Sequence, residues 1–258
     1  MIYADLHTHT VYSHGKGTIE ENYNAALRCG LTQLGISDHG LGHIMFNVKK
    51  KEIAVMRQEI ERINAMGKPT ELYLGIEANI TDTEGGVDLT YSQAALFDYV
   101  IVGYHKAVKP IGFSQMFKFN LNAIVKSAFK NRPVDKTFTR AFVKAIESGK
   151  VDIISHLNLD VRVDVSEVGK AARDYGVFIE LNGKGVAMTD DEIDKLINTG
   201  TMFIVNSDAH SPERIGEISK PMAVVERMKI PHERIVNMCG PLDIRAMRNR
   251  KKTDIRTI

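Results

Sequence analysis

The chain has 258 residues, 43% hydrophobic and 26% charged, enough to bury one large barrel core or two small domains. Its 34 basic and 32 acidic residues leave a net charge of +2, which supplies no electrostatic footprint for nucleic acid or a membrane surface. No apolar run reaches membrane-spanning length, "MIYADLHTHT" is too polar for a signal peptide, and Cys29 and Cys239 form neither a disulfide framework nor a CxxC pair. A cytoplasmic location and buried or incidental thiols are the expectation.

In chain order, "MIYADL" reads as a first strand, followed at once by His7, His9 and His14, a third of the nine histidines. Thr18 and Glu21 form a capping box, Ile19, Tyr23, Ala26 and Leu27 one apolar stripe, and Gly30 the stop of a first helix. "LTQLGIS" is a second strand running into Asp38-His39, and a charged helix is predicted over 49–66, ending near Gly67. "LYLGIE" ends in Glu77 and "YVIVGY" in His105. Residues 107–136 form a long insertion with Phe113, Met116, Phe117, Phe119 and Phe129. A small helix packed on the barrel is the structural expectation, and a lid over the mouth the functional one. A helix over 137–148 precedes "VDIIS" and His156; another, opened by Asp164 and Glu167 and stopped at Gly176, precedes "VFIEL" and Asn182. Thr189 and Glu192 cap a further helix, stopped at Gly200, before "MFIVNS", Asp208 and His210. Ser211-Pro212 starts a short turn, and 217–258 reads as short helices closing the barrel bottom, with a frayed basic tail "RNRKKTDIR".

Seven nearly continuous apolar strands alternating with helices imply a parallel sheet covered on both faces. With no Gly-rich dinucleotide fingerprint and no interdomain linker, the fold class expected is α/β, a closed or nearly closed barrel in a single domain, 1–258. All strand carboxyl ends of such a barrel surround one mouth. Residues i and i+2 of a strand share a face, so His7 with His9, and Asp208 with His210, project together.

That rim collects seven imidazoles, His7, His9, His14, His39, His105, His156 and His210, with the carboxylates Glu77 and Asp208. A general base needs one His, and a triad needs a Ser or Cys nucleophile. A cluster of this size is explained by metal ligation, although any single strand-end His is more often a satisfied polar residue. Nine ligands exceed one tetrahedral zinc and suit two or three divalent ions. The N/O donor set fits Zn²⁺, Mn²⁺ or Fe²⁺ and disfavours Ca²⁺ and Mg²⁺. His43, after a Gly-rich turn, is expected on the surface, with a place lining the mouth as the alternative, and His232, in "IPHERI", is expected on the surface.

The motifs "DLHTHT", "SDHG", "GIEAN", "GYH", "SHL" and "NSDAH", in this order over residues 1–216, resemble those of the PHP (polymerase and histidinol phosphatase) superfamily, most closely its stand-alone bacterial phosphatases with three-metal sites. The resemblance implies a distorted, TIM-like (β/α)7 barrel. It implies one metal held by His7, His9, Glu77 and Asp208, a second reached through a bridging Glu77 with His105 and His156, and a third held by His14, His39 and His210. No ligand position is substituted.

Ions at the mouth would leave an excess of positive charge that wants an anion, and a phosphate ester is the natural one. A water bridging two ions would become the nucleophile, which accounts for the missing Ser or Cys. Asp5, two residues before His7 on the same face, is expected to accept a hydrogen bond from a ligand imidazole; Asp38 points the other way and ranks lower. Lys16, Lys106, Arg162, Lys184 and Arg214 lie shortly after strand ends and are the candidate phosphate clamps, each weighed against an ordinary solvated charge. The expected function is a phosphomonoesterase acting on a small phosphorylated metabolite, histidinol phosphate among the candidates. The alternatives are a phosphodiesterase or 3′-exonuclease of the polymerase-associated kind, a non-catalytic metal-binding module, and an amidohydrolase-type enzyme. The exonuclease reading lacks a basic, aromatic groove, and the amidohydrolase reading would need a bridging lysine where Glu77 stands.

Overall fold

The structure is a computed structural model, and it describes residues 1–105, 108 and 133–247. Seven strands, β1 (Ala4–Asp5), β2 (Gln33–Ile36), β3 (Glu71–Asn79), β4 (Tyr99–Gly103), β5 (Ile153–Ile154), β6 (Phe178–Asn182) and β7 (Phe203–Asn206), pair in parallel in sequence order. The helices α1 (Ile19–Arg28), α2 (Lys50–Asn64), α3 (Tyr91–Ala94), α4 (Lys136–Glu147), α5 (Val165–Asp174), α6 (Asp190–Thr199) and α7 (Ser219–Arg227) fall between or after them. The strands are apolar throughout because both faces are covered. In β4, Val100 and Val102 join the core shared with the helices, while Tyr99 and Ile101 join the barrel interior, as a two-residue period requires.

The interior is filled at its lower end by Leu6, Tyr99, Ile101, Ile153 and Ile204, packed with Ile244 and Met247 from the carboxyl-terminal segment. Tyr99 reaches across the barrel, its hydroxyl donating to the Leu6 carbonyl at 2.6 Å. It crosses there because Gly35 on β2 and Gly75 on β3 carry no side chain: a Cβ at either would overlap the phenol ring or its oxygen.

The sheet closes between β1 and β7 mainly through side chains. Asn206 Oδ1 accepts from Leu6 N at 2.9 Å, and Asn237 Nδ2 donates to Ala4 O at 2.7 Å and Val205 O at 2.6 Å. At the mouth the backbone takes over, with His9 N donating to Ala209 O at 2.8 Å. The structure thus has the expected nearly closed (β/α)7 barrel.

The predicted caps form. Thr18 with Glu21 and Thr189 with Glu192 make full capping boxes, Asp164 caps α5, and Gly200 ends α6 at φ 86°, a conformation that favours glycine. The four-residue α3, capped by Thr90 and Gln93, escapes sequence reading because one turn shows no periodicity. Both cysteines are exposed rather than buried, although Cys29 Sγ still donates to Ile215 O. No described helix is long and apolar enough to cross a membrane. Most of the expected insertion over 107–136, its Phe113, Met116, Phe117, Phe119 and Phe129, and the clamp candidate Lys106 lie outside the described residues.

Candidate metal centre

The seven strand-end histidines meet at one mouth. Ring centroids lie 5.1 Å apart for His7 and His9, 4.6 Å for His9 and His39, 4.2 Å for His9 and His210, and 4.2 Å for His14 and His210. His39 and His105 are 5.1 Å apart, and His105 and His156 5.0 Å. Glu77 sits among them. Its Oε1 is 2.8 Å from His156 Nε2 and 3.4 Å from both His7 Nε2 and His105 Nε2; its Oε2 is 3.0 Å from His39 Nδ1. Asp208 Oδ1 is 3.3 Å from His9 Nε2 and 3.5 Å from His210 Nδ1.

Among the described residues, three triplets of donor atoms converge closely enough to share an ion: His7, His9 and Glu77; His39, Glu77 and His105; and His9, His39 and His210. His39 thus groups with Glu77 and His105 as well as with His210, while the more exposed His14 stacks on Phe46 with ring centroids 4.4 Å apart. Two of the acidic and imidazole positions carry backbone strain: His156 has φ 27° and Asp208 φ 52°, each costing about 1–3 kcal/mol for a residue with a Cβ.

The rings are oriented from behind. His7 Nδ1 donates to Glu180 Oε1 at 2.8 Å, His105 Nδ1 to Asn79 Oδ1 at 2.6 Å, and His210 Nδ1 to the Asp208 carbonyl at 3.0 Å. Each ring thereby turns its Nε2 edge toward the cluster, the edge a metal ligand would use. Asn79 is held in turn by Asp88, which accepts from its side-chain and backbone nitrogens. His7 Nε2, both ring nitrogens of His9, and His39 Nδ1 are buried with no hydrogen-bond partner. Buried donors and acceptors are rarely left in that condition, so the residues present fit divalent cations.

The charges agree. Burial pushes Glu77 and Asp208 upward, but His105, His7 and His39 around the first, and His7 and His9 around the second, hold both well below the usual carboxylate range. Burial pushes His7 down, and Glu180, Asp208 and Glu77 more than reverse it. Burial, reinforced by neighbouring cations, brings His14 and His210 to about 4, so both are neutral at pH 7.

Sequence reasoning assigned some residues differently. Asp5 does not reach an imidazole. Its oxygens accept from Ser207 N, Gly216 N and, at 3.5 Å, His7 N, because the neighbouring β7 backbone claims them first. Glu180, not singled out from the sequence, takes the expected part: besides His7 it accepts from His156 N at 3.0 Å, Asn182 Nδ2 at 2.8 Å and Asn206 Nδ2 at 3.0 Å. Its position two residues before Asn182, on the same strand face, was the available signal. Asp38 does point away from the donors, yet it is buried and fixes the histidine loop, accepting from Thr10 N, Thr10 Oγ1 and Ser13 Oγ. His43 is buried against the mouth rather than on the surface, 5.0 Å from the His39 ring, its Nδ1 accepting from Phe46 N and Met45 N. His232 is exposed, as expected. Arg162 is paired with Glu192 of α6, whereas Lys16, Lys184 and Arg214 line a cavity beside the cluster.

A parallel seven-stranded barrel that gathers imidazoles around two carboxylates at its carboxyl-terminal rim defines the class of metal-dependent hydrolase barrels. The PHP domain family model matches residues 5–191. The chain therefore belongs to the PHP domain family, a family of metal-dependent phosphoesterases. It is 29% identical over 250 residues to a probable phosphatase of Shewanella sp. (strain MR-4), covering 91% of this chain and 86% of that one. It is likewise 29% identical over 248 residues to a probable phosphatase of Caldanaerobacter subterraneus subsp. tengcongensis, covering 90% and 86%. Among solved structures, histidinol phosphate phosphatase from Lactococcus lactis, complexed with zinc, L-histidinol and phosphate, superposes with a TM-score of 0.56 at 14% identity, covering 88% of this chain and 93% of that one.

Proposed function

We propose that the protein is a phosphomonoesterase that hydrolyses a small phosphorylated metabolite with two to three divalent ions, Zn²⁺, Mn²⁺ or Fe²⁺. The observation that carries the reading is the set of partnerless buried nitrogens on His7, His9 and His39, placed around Glu77. The holding residues would be His7, His9, Glu77 and Asp208; Glu77, His105 and His156; and His14, His39 and His210. Ions bound there would supply an activated water and positive charge for the phosphoryl oxygens.

The chain's own part is to place these groups. Glu180, Asn79 and the Asp208 carbonyl fix three imidazole tautomers, so that the donor set needs little rearrangement on loading. Lys184 Nζ, 3.0 Å from Asp208 Oδ1 and 3.4 Å from His210 Nε2, is positioned to bind a phosphoryl oxygen at the rim. The similarity to probable phosphatases over nine-tenths of the chain supports the same chemistry.

Elemental analysis of purified protein, followed by turnover of para-nitrophenyl phosphate and its bis ester, tests the reading. We expect more than one divalent ion per chain, turnover of the monoester in preference to the diester, loss of turnover on chelation and recovery with Mn²⁺ or Zn²⁺. Ion-loaded protein that cleaves neither ester would leave a binding module as the correct reading.

A further inference from the structure

Beside the histidine cluster lies a cavity of about 320 Å³, within the range that holds small ligands. It meets the cluster through Asp208 and His210. Four cationic side chains line it from separate segments: Lys16 after β1, Lys184 after β6, Arg214 after β7 and Lys220 in the first turn of α7. Among the described residues they face one carboxylate, Asp208, which Lys184 already engages at 3.0 Å. Lys220 Nζ donates to the Lys184 carbonyl at 2.8 Å, which ties the two segments together and leaves its other protons available. The side chains of Lys16 and Arg214 have no hydrogen-bond partner among the described residues. Glu213 and Glu217, the acids that feel them, are at the solvent surface.

This is more positive charge than a phosphoryl group over the cluster requires. Lys184 adjoins the Asp208 and His210 donors and suffices for that group. Lys16, Arg214 and Lys220 remain, along the cavity beside those donors. A cationic leaving group would be repelled there, and a neutral one would leave three cations unmatched.

We propose that the substrate carries a second anionic group, a carboxylate or another phosphate, on its leaving-group side, and that this cavity holds it through Lys16, Arg214 and Lys220. The inference rests on the phosphomonoesterase reading and narrows its substrate class. It ranks histidinol phosphate, with its cationic organic portion, among the poor substrates.

The test is a substrate series with the ion-loaded enzyme. 3-Phosphoglycerate, glycerol 3-phosphate and phosphoethanolamine place an anionic, a neutral and a cationic group beyond the ester; fructose 1,6-bisphosphate against fructose 6-phosphate asks whether a second phosphate serves as the anionic group. We expect kcat/KM to fall by about tenfold from the anionic to the neutral member and again to the cationic one. In Lys220→Gln and Arg214→Gln the anionic-to-neutral ratio should collapse toward one, chiefly through KM. Equal kcat/KM across the series in the unmodified enzyme overturns the second anionic group while leaving the phosphatase reading intact. A preference that survives in the double variant overturns the assignment to this cavity. Absence of turnover of every monoester, with ions bound, removes both.

Discussion

At the scale of single residues, the candidate site depends on groups outside the candidate ligand set. Glu180 is fully buried and binds one ligand ring, the backbone of a second ligand position and two asparagines, Asn182 and Asn206. Glu180→Gln keeps the shape but can offer its amide to His7 Nδ1 as a donor, which favours the wrong tautomer. We expect affinity for Mn²⁺ or Zn²⁺ to fall about 10–100-fold, measured by competition with a chelating dye, with a native-like far-UV spectrum. Unchanged affinity would show that the His7 tautomer is set elsewhere. The nine ligand candidates were readable from their places after apolar runs. Glu180 was overlooked because attention to strand ends passes over a carboxylate inside a strand. Nothing local to "HGLGHIMF" tells that His43 folds back against His39, since that depends on how a loop packs on distant residues.

At the scale of elements, the helices were legible because each carries its start and stop signals: capping boxes at Thr18 and Thr189, Asp164 ahead of α5, and Gly200 after α6. The strands were legible as apolar runs, but their ladders are shorter than the runs. β5 is confined to Ile153–Ile154, two residues before His156 takes its left-handed conformation. Interior packing was not legible, since no pattern in "YVIVGY" marks Tyr99 as the residue that crosses to Leu6 beneath two glycines. That crossing gives a sharp expectation: Gly35→Ala drives a methyl group into the Tyr99 hydroxyl, with no solvent gap to receive it. Such overpacking costs about 1–3 kcal/mol, read as a lower urea midpoint at unchanged m. A midpoint equal to the parent's would mean that the phenol finds another berth.

At the scale of the molecule, the cluster couples stability to pH. Burial, with neighbouring cations, lowers His14, His43 and His210 to about 4, and it also lowers His9 and His105. An unfolded chain protonates these rings near 6.5, and the folded metal-free chain does not. Between pH 6.5 and about 4 the unfolded state therefore binds more protons, and stability falls as pH falls. Asp38, raised by burial to about 6, works in the opposite sense across 3.8 to 6, as do the raised Asp5 and Asp88 and, above pH 6.5, the raised His7 and His156; the lowered Glu77, Asp208 and Glu180 reinforce the five imidazoles at the acid end. Chelator-treated protein should accordingly melt at a lower temperature at pH 5 than at pH 7. Ion-loaded protein should show a steeper loss, because ligands released to protons also release metal. A melting temperature that is flat or rises toward pH 5 would contradict the buried, neutral state of these rings.

The Asn237 amide that stitches Ala4 to Val205 spans 233 residues on one side and 32 on the other. A ribosome must therefore have passed residue 237 before this stitch between the first strand and the last can form. Growing chains that stop short of that asparagine would leave the Ala4 and Val205 carbonyls without its amide. Ion retention should thus improve once synthesis passes residue 237, and nascent fragments ending before it should retain ions poorly even though every candidate ligand has already been translated.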